Sequence, residues 1–169
     1  MAANEGLTAL EVLGVAIRSE IEAASLYARL AAQVRNATLA TKLDFLRREE
    51  EKHRSILQDV YQRRFPDVEL QLPDRSPVPT FDGAALADMA VPELFQLAMK
   101  AEQLASEFYA REAERSFDEM GRTTLRYLSH VESGHYKMLE TEYELVSRFP
   151  DYYNADEFHF GTELMHIGP

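Results

Sequence analysis

The chain has 169 residues, 46% of them hydrophobic, with seven Gly, seven Pro and no Cys, and it carries a formal net charge of −11. That length allows one domain with a sizeable core, and the apolar content argues against disorder. The acidity argues against nucleic acid as a partner, since phosphate backbones are held by Lys and Arg clusters. Without Cys there is no disulfide framework, no Cys-ligated zinc or iron–sulfur centre and no thiol nucleophile.

Residues 1–6 have neither a basic start nor an apolar run, and no stretch of about 18 apolar residues follows, so no membrane association and a cytoplasmic location are expected. Helix-favouring Ala, Leu, Glu, Arg and Met dominate, which sets an all-α expectation. Thr8 followed by Glu11 reads as a capping box, and apolar residues then recur at helical spacing through Leu13, Ile17, Ile21 and Ala24, predicting a first helix over about 8–34. Arg35-Asn36-Ala37 is a turn. A second helix over about 38–64 runs through Leu43, Leu46, Ile56, Leu57 and Val60 and stops before Pro66. Residues 66–90 hold Pro66, Pro73, Pro77 and Pro79 and read as a long connection, with a short helix near Ala84–Met89. Pro92 suits the first turn of a third helix over about 91–116. A turn at Asp118–Gly121 precedes a fourth helix ending near Arg148, and 150–169 is an aromatic, His-containing tail with no assigned structure.

The expected architecture is a ferritin-like four-helix bundle over 1–149, made of two helical hairpins joined by the crossover 66–90. A helix of about 26 residues is roughly 39 Å long, and about 22 linker residues extend to roughly 70 Å. The crossover can therefore return along the whole bundle, which is the one-crossover connectivity of ferritin-like folds.

An internal repeat runs through the chain at an offset of 82 residues without gaps. Glu11 matches Glu93, Glu20 matches Glu102, Tyr27 matches Tyr109, Glu50 matches Glu132, His53 matches His135 and Tyr61 matches Tyr143. Heptad-like patterning can generate such matches for Leu and Ala, but not for paired Glu, His and Tyr.

Glu50 and His53 lie three apart on one helix face, so both can reach one metal. That spacing is weak by itself, because Glu163 and His166 in the tail share it. Level-matching strengthens it: residues equidistant from an antiparallel turn sit at one height. Glu20 and Glu50 are centred on residue 35, and Glu102 and Glu132 on residue 117, both in expected turns. The tail copy fails, since Ser133 stands 30 residues before Glu163. Glu20 shares its face with Ile17, Ala24 and Tyr27, and Glu102 with Ala98, Ala105 and Tyr109. Carboxylates on an apolar face need compensation, and two divalent metals held by Glu20, Glu50, His53, Glu102, Glu132 and His135 would supply it. Four carboxylates and two imidazoles suit two Fe ions, with Mn or Zn able to take either position. Tyr27 and Tyr109 are expected to hydrogen-bond ligand carboxylates. Glu22, Glu49, Glu51, Glu107 and His130 fall off the ligand face. His159 and His166 are set aside as packing residues or a second metal site.

At these residues the sequence resembles the rubrerythrin-like branch of the ferritin-like di-iron superfamily, over roughly 7–148. The runs Ser19–Tyr27, Arg48–His53, Ala101–Tyr109 and His130–His135 look like its four ligand segments. The resemblance implies bridging roles for Glu50 and Glu132, terminal roles for Glu20 and Glu102, and one metal each for His53 and His135. Two features depart from the family. With no Cys there is no rubredoxin-like domain, so an external electron donor is implied, and Ala105 stands where rubrerythrins tend to carry a further glutamate. The six-ligand set also looks like that of bacterioferritin, whereas the linker and tail look less like parts of a cage subunit.

The function expected from the resemblance is a di-iron oxidoreductase, peroxidase- or ferroxidase-like, that reduces hydrogen peroxide or dioxygen in a response to oxidative stress. The alternatives are a ferritin-type iron-storage subunit, a di-iron monooxygenase and a metal-free structural bundle. A homodimer is expected, because an acidic bundle with an aromatic tail has surface left to cover.

Overall fold

The computed structural model describes residues 7–74, 89–116, 118–149 and 151. Four helices follow in chain order: α1 (Ala9–Gln33), α2 (Ala37–Arg64), α3 (Val91–Arg115) and α4 (Glu119–Arg148). They form the expected all-α bundle, α1 packing along α2 and α3 along α4, with α1–α3 and α2–α4 contacts joining the two hairpins.

Local signals set the helix ends. Thr8 and Glu11 form a complete capping box: the Glu11 carboxylate accepts from the Thr8 N–H at 2.8 Å, and Thr8 Oγ1 accepts from the Glu11 N–H at 3.3 Å. At the matching position of α3 the cap residue is Ala90, so only half of the device survives. Glu93 accepts from the Ala90 N–H at 3.1 Å, and Pro92 sits in the first turn. Asn36 caps α2 by accepting from the Leu39 N–H at 2.9 Å. Asp118 caps α4 by accepting from the Gly121 N–H at 2.7 Å. This last cap corrects the sequence-based boundary: the turn ends at Asp118, and Gly121 lies inside the helix. A Cβ on Gly121 would meet Ser116 Oγ at 2.8 Å, so glycine serves close packing there.

Of the crossover, the structure describes 65–74 and 89–90; the short helix expected near 84–89 falls almost wholly outside the described residues, as does all of the tail but Asp151. The described part lies on α1. Tyr61 donates to the Glu69 carbonyl at 3.1 Å, Arg18 donates to the Pro73 carbonyl, and a Cβ on Gly14 would meet the Gln71 carbonyl oxygen at 3.3 Å.

The apolar interior is split in two. Val15, Ile17, Leu57, Val60, Phe108 and Leu128 belong to a cluster at one end, and Leu30, Leu39, Leu43, Leu46, Phe95 and Leu139 to a cluster at the other. Ile56, in phase with the expected stripe of α2, is instead 37% exposed at its margin. Between the clusters lies a layer of buried acids and histidines. No helix among the described residues is long and apolar enough to cross a membrane.

Candidate metal centre

Each helix delivers its polar residues to the middle layer by the same device: a run of apolar positions interrupted, in phase, by a carboxylate. On α1 the interruption is Glu20 between Ile17 and Leu26. On α3 it is Glu102 between Ala98 and Ala105. On α2 and α4 the pairs Glu50/His53 and Glu132/His135 follow Leu46 and Leu128. All six are at most 5% exposed, a burial that ordinary surface acids do not reach.

The six converge in two groups of four. Ligand atoms of Glu20, Glu50, His53 and Glu132 all lie within 4.8 Å of one another, as do those of Glu50, Glu102, Glu132 and His135. Glu50 and Glu132 belong to both groups. His53 Nδ1 is 3.4 Å from Glu20 Oε2, 3.3 Å from Glu50 Oε2 and 3.2 Å from Glu132 Oε1. His135 Nδ1 is 2.9 Å from both Glu50 Oε1 and Glu132 Oε2. The two imidazoles stack at 5.6 Å between centroids, 16° from parallel.

Several of these buried atoms face the middle of the layer without a hydrogen-bond partner: Glu20 Oε2, Glu50 Oε1, both Glu132 oxygens and His135 Nδ1. Buried acceptors left in this way are costly. Oxygen and nitrogen atoms that crowd together without bonding one another are what a shared cation requires, so the residues fit a pair of metal ions.

The tyrosines complete the layer in a pattern that the linear spacing did not reveal. Tyr27 donates to Glu102 Oε1 and Tyr109 donates to Glu20 Oε1. Each phenol holds the glutamate of the opposite hairpin, takes its outer oxygen and leaves the inner one facing the centre. Burial and the neighbouring carboxylates raise both phenols well above the usual tyrosine range, so both stay protonated donors.

The electrostatics of the protein atoms are those of a crowded acid cluster. Burial and the adjacent Glu132 raise Glu50, and burial with Glu50 and Glu132 raises Glu102. Burial works against charge on His53, yet the Glu132, Glu20 and Glu50 carboxylates override it and raise its pKa. His135 rises in the same way beside Glu132 and Glu102. Glu132 is itself desolvated, but contacts with His135 and His53 bring it down to about 2.

The residues set aside in the sequence lie where phase places them. Glu22 pairs with Arg18 at 2.8 Å, Glu49 with Lys52, and Glu51 with Arg47 at 2.6 Å. Glu107 accepts from Gln103 at 2.9 Å, and His130 is exposed beside the Arg126 carbonyl. Tyr61 and Tyr143, matched in the repeat, part company: Tyr61 ties down the crossover, whereas Tyr143 lies 2.5 Å from Gln96 Nε2. His159, His166 and Glu163 lie outside the described residues.

Three further features carried no sequence signal. Tyr127, 51% exposed, sets its ring edge-on to His53 at 6.4 Å between centroids. Lys42 of α2 pairs with the buried Glu142 of α4 across the hairpins. Glu112, 3% exposed, is buried beneath Arg111 and Arg115 at 3.0 and 3.2 Å. A mainly apolar cavity of about 200 Å³ lies at the end of the bundle among Leu7, Val12, Leu13, Val60, Arg64 and Leu125, and none of the six centre residues lines it.

Residues 11–143 match the sequence model of the family described as Rubrerythrin. A solved structure, a hypothetical protein from Pyrococcus furiosus, is 33% identical, with a TM-score of 0.75 over 85% of this chain and 92% of that one. No curated protein matches the chain.

Proposed function

The chain belongs to the rubrerythrin family, and from that membership and the buried six-residue cluster we propose that it is a di-iron oxidoreductase reducing hydrogen peroxide or dioxygen with electrons from an external donor. The observation that carries this reading is the sharing of Glu50 and Glu132 between two four-residue groups, a donor set for a pair of ions at close range. Glu50 and Glu132 would bridge, Glu20 and Glu102 would close the two ends, and His53 and His135 would each serve one position through Nδ1.

A ferrous pair, when bound, supplies the two electrons that convert peroxide to water and the Lewis acidity that draws its oxygen atoms in. The chain's own residues do the rest. Tyr27 and Tyr109 pin the end carboxylates, so that the inner oxygens of Glu102 and Glu20 keep their aim. The apolar clusters on both sides exclude water and strengthen each charge interaction within the layer. Iron or manganese suits this oxygen-rich set better than metals that favour soft ligands. With no Cys, the chain has no iron–sulfur relay of its own, which is why an external donor belongs to the proposal.

Rapid mixing of the ferrous-loaded protein with hydrogen peroxide tests the reading. Oxidation far faster than that of free ferrous ion is expected, and equal rates would overturn it. A second reading, ferritin-type iron oxidation and storage, is favoured by one feature. Ala105 lies buried one turn from Glu102, where a seventh carboxylate would break the two-fold match of the six residues. Size-exclusion chromatography separates the two: storage needs a shell-sized oligomer, and elution as a homodimer ends that reading.

A further inference from the structure

The two halves of the repeat agree at the six central residues but differ in the seams that cover them. In the second half, serines stitch α3 to α4. Ser106 Oγ donates to the Ser129 carbonyl at 2.9 Å, Ser129 Oγ donates to the Ser106 carbonyl at 3.0 Å, and the Ser106 and Ser133 hydroxyls lie 2.9 Å apart. Ser106 stands one turn from Glu102, so this seam runs beside the buried carboxylate.

The positions 82 residues earlier are Ala24, Arg47 and Glu51. A methyl, a guanidinium and a carboxylate cannot make that stitch. Arg47 turns instead along its own helix, to Asp44 at 2.8 Å and Glu51 at 2.6 Å. The seam between α1 and α2 is therefore left as a groove of about 290 Å³ with Glu20 among its walls, alongside Ala24, Ala28, Arg47, Glu51 and Arg54. Arg54 brings a second oddity: its Nε is buried and has no hydrogen-bond partner. A buried donor without an acceptor is costly, and the Arg54 side chain lines the groove that reaches Glu20.

We propose that the α1–α2 seam is the entrance to the centre for a small oxygen- or nitrogen-donor ligand of hydroperoxide or azide size, and that Arg54 donates to that ligand beside Glu20. The inference rests on the metal-centre reading above. It gives a chemically two-fold site one grooved flank: the ligand reaches the Glu20–His53 end through the α1–α2 seam, whereas serines stitch the seam beside Glu102.

Azide is the probe, added to the ferric-loaded full chain and followed by its charge-transfer absorption. Ala28, exposed in the lining of the groove, has an exposed counterpart at Ala110 on the serine-stitched side. Ala28→Phe plugs the groove and is expected to slow azide association, while Ala110→Phe leaves the rate as in the wild type. Arg54→Met is expected to weaken azide binding about tenfold, the scale of one hydrogen bond from a charged donor, with iron content unchanged. Equal rates in the two phenylalanine variants, an unchanged azide affinity in Arg54→Met, or no azide band in the iron-loaded wild type would overturn the entrance and leave the metal centre standing. Wild-type protein that takes up no iron overturns the metal-centre reading and this inference with it.

Discussion

Tyr27 on α1 donates its phenolic hydrogen to Glu102 on α3, not to Glu20 seven residues before it on its own helix. Tyr109 returns the bond to Glu20, so α1 and α3, which share no turn, are tied through the centre itself. Each phenol fixes one carboxylate oxygen, and both are fully buried.

Replacing either tyrosine by Phe leaves a buried carboxylate oxygen without its donor. The expected loss is about 10- to 100-fold in metal affinity, read by competition with a chelator. The effect should cross the molecule: Tyr27→Phe weakens the end held by Glu102 and His135, and Tyr109→Phe the end held by Glu20 and His53. Unchanged affinities in both variants would show that the phenols do not orient the carboxylates.

The shared carboxylates and the end carboxylates should differ in stoichiometry. Glu50→Ala or Glu132→Ala removes a member of both groups, so neither position is held tightly. Glu20→Ala or Glu102→Ala spoils one group and spares the other. Metal analysis after loading and desalting is expected to find near-complete loss for the first pair of variants and about half the wild-type content for the second. The same content in all four variants would contradict the sharing.

Metal uptake should release protons. Burial and neighbouring carboxylates raise Glu50 and Glu102, so these groups keep their protons to higher pH than free carboxylates do, and a ligand carboxylate must give its proton up. His53 and His135 are raised as well, by the carboxylates around them, and an imidazole must also lose its proton to bind through Nδ1. All four shifts have one sign: affinity rises with pH as long as these groups are still titrating. The same shifts act on the metal-free fold. The raised groups stabilise it below their unfolded-state values, and that stability is lost as pH rises through their folded-state values. Titration of weakly buffered protein with ferrous ion under anaerobic conditions, with a pH indicator, should show acidification. No proton release at pH 7 would refute the protonated cluster.

The start of α4 makes a prediction independent of the centre. Asp118 caps the helix through the Gly121 N–H and also pairs with Arg64 at the end of α2. Asp118→Ala should cost about 0.5–2 kcal/mol, seen as a lower urea midpoint. The Gly121 N–H and Arg64 hold Asp118 below the usual carboxylate range. Its contribution is therefore present above the unfolded-state value and fades as pH falls through the folded-state one. The difference between wild type and variant should shrink in acid.

The relations that turn on distance along a hairpin were legible from the residues. Glu20 and Glu50, level about residue 35, do meet, and so do Glu102 and Glu132. Relations between hairpins were not legible, because their register depends on how α1 packs on α3 and α2 on α4, and no spacing within a hairpin encodes that. Hence the exchange of tyrosine partners and the Lys42–Glu142 pair came only from the structure. The serine seam stayed hidden for a different reason: Ser106, Ser129 and Ser133 look like ordinary surface residues until helix packing puts them face to face. Gly121 read as a turn residue because glycine favours turns. Close packing against Ser116 explains it instead.

The crossover has a consequence for biosynthesis. α1 and α2 pair through contacts local in sequence, which form early in folding, so a chain emerging from the ribosome can close its first hairpin while α3 is still unmade. Glu20, Glu50 and His53 are then together, but the phenol that steadies Glu20 arrives 89 residues later, with Tyr109. A nascent chain that closes its first hairpin early would hold half of the six-residue set with no tyrosine to restrain it, and the shared group of carboxylates is complete only when the second hairpin docks.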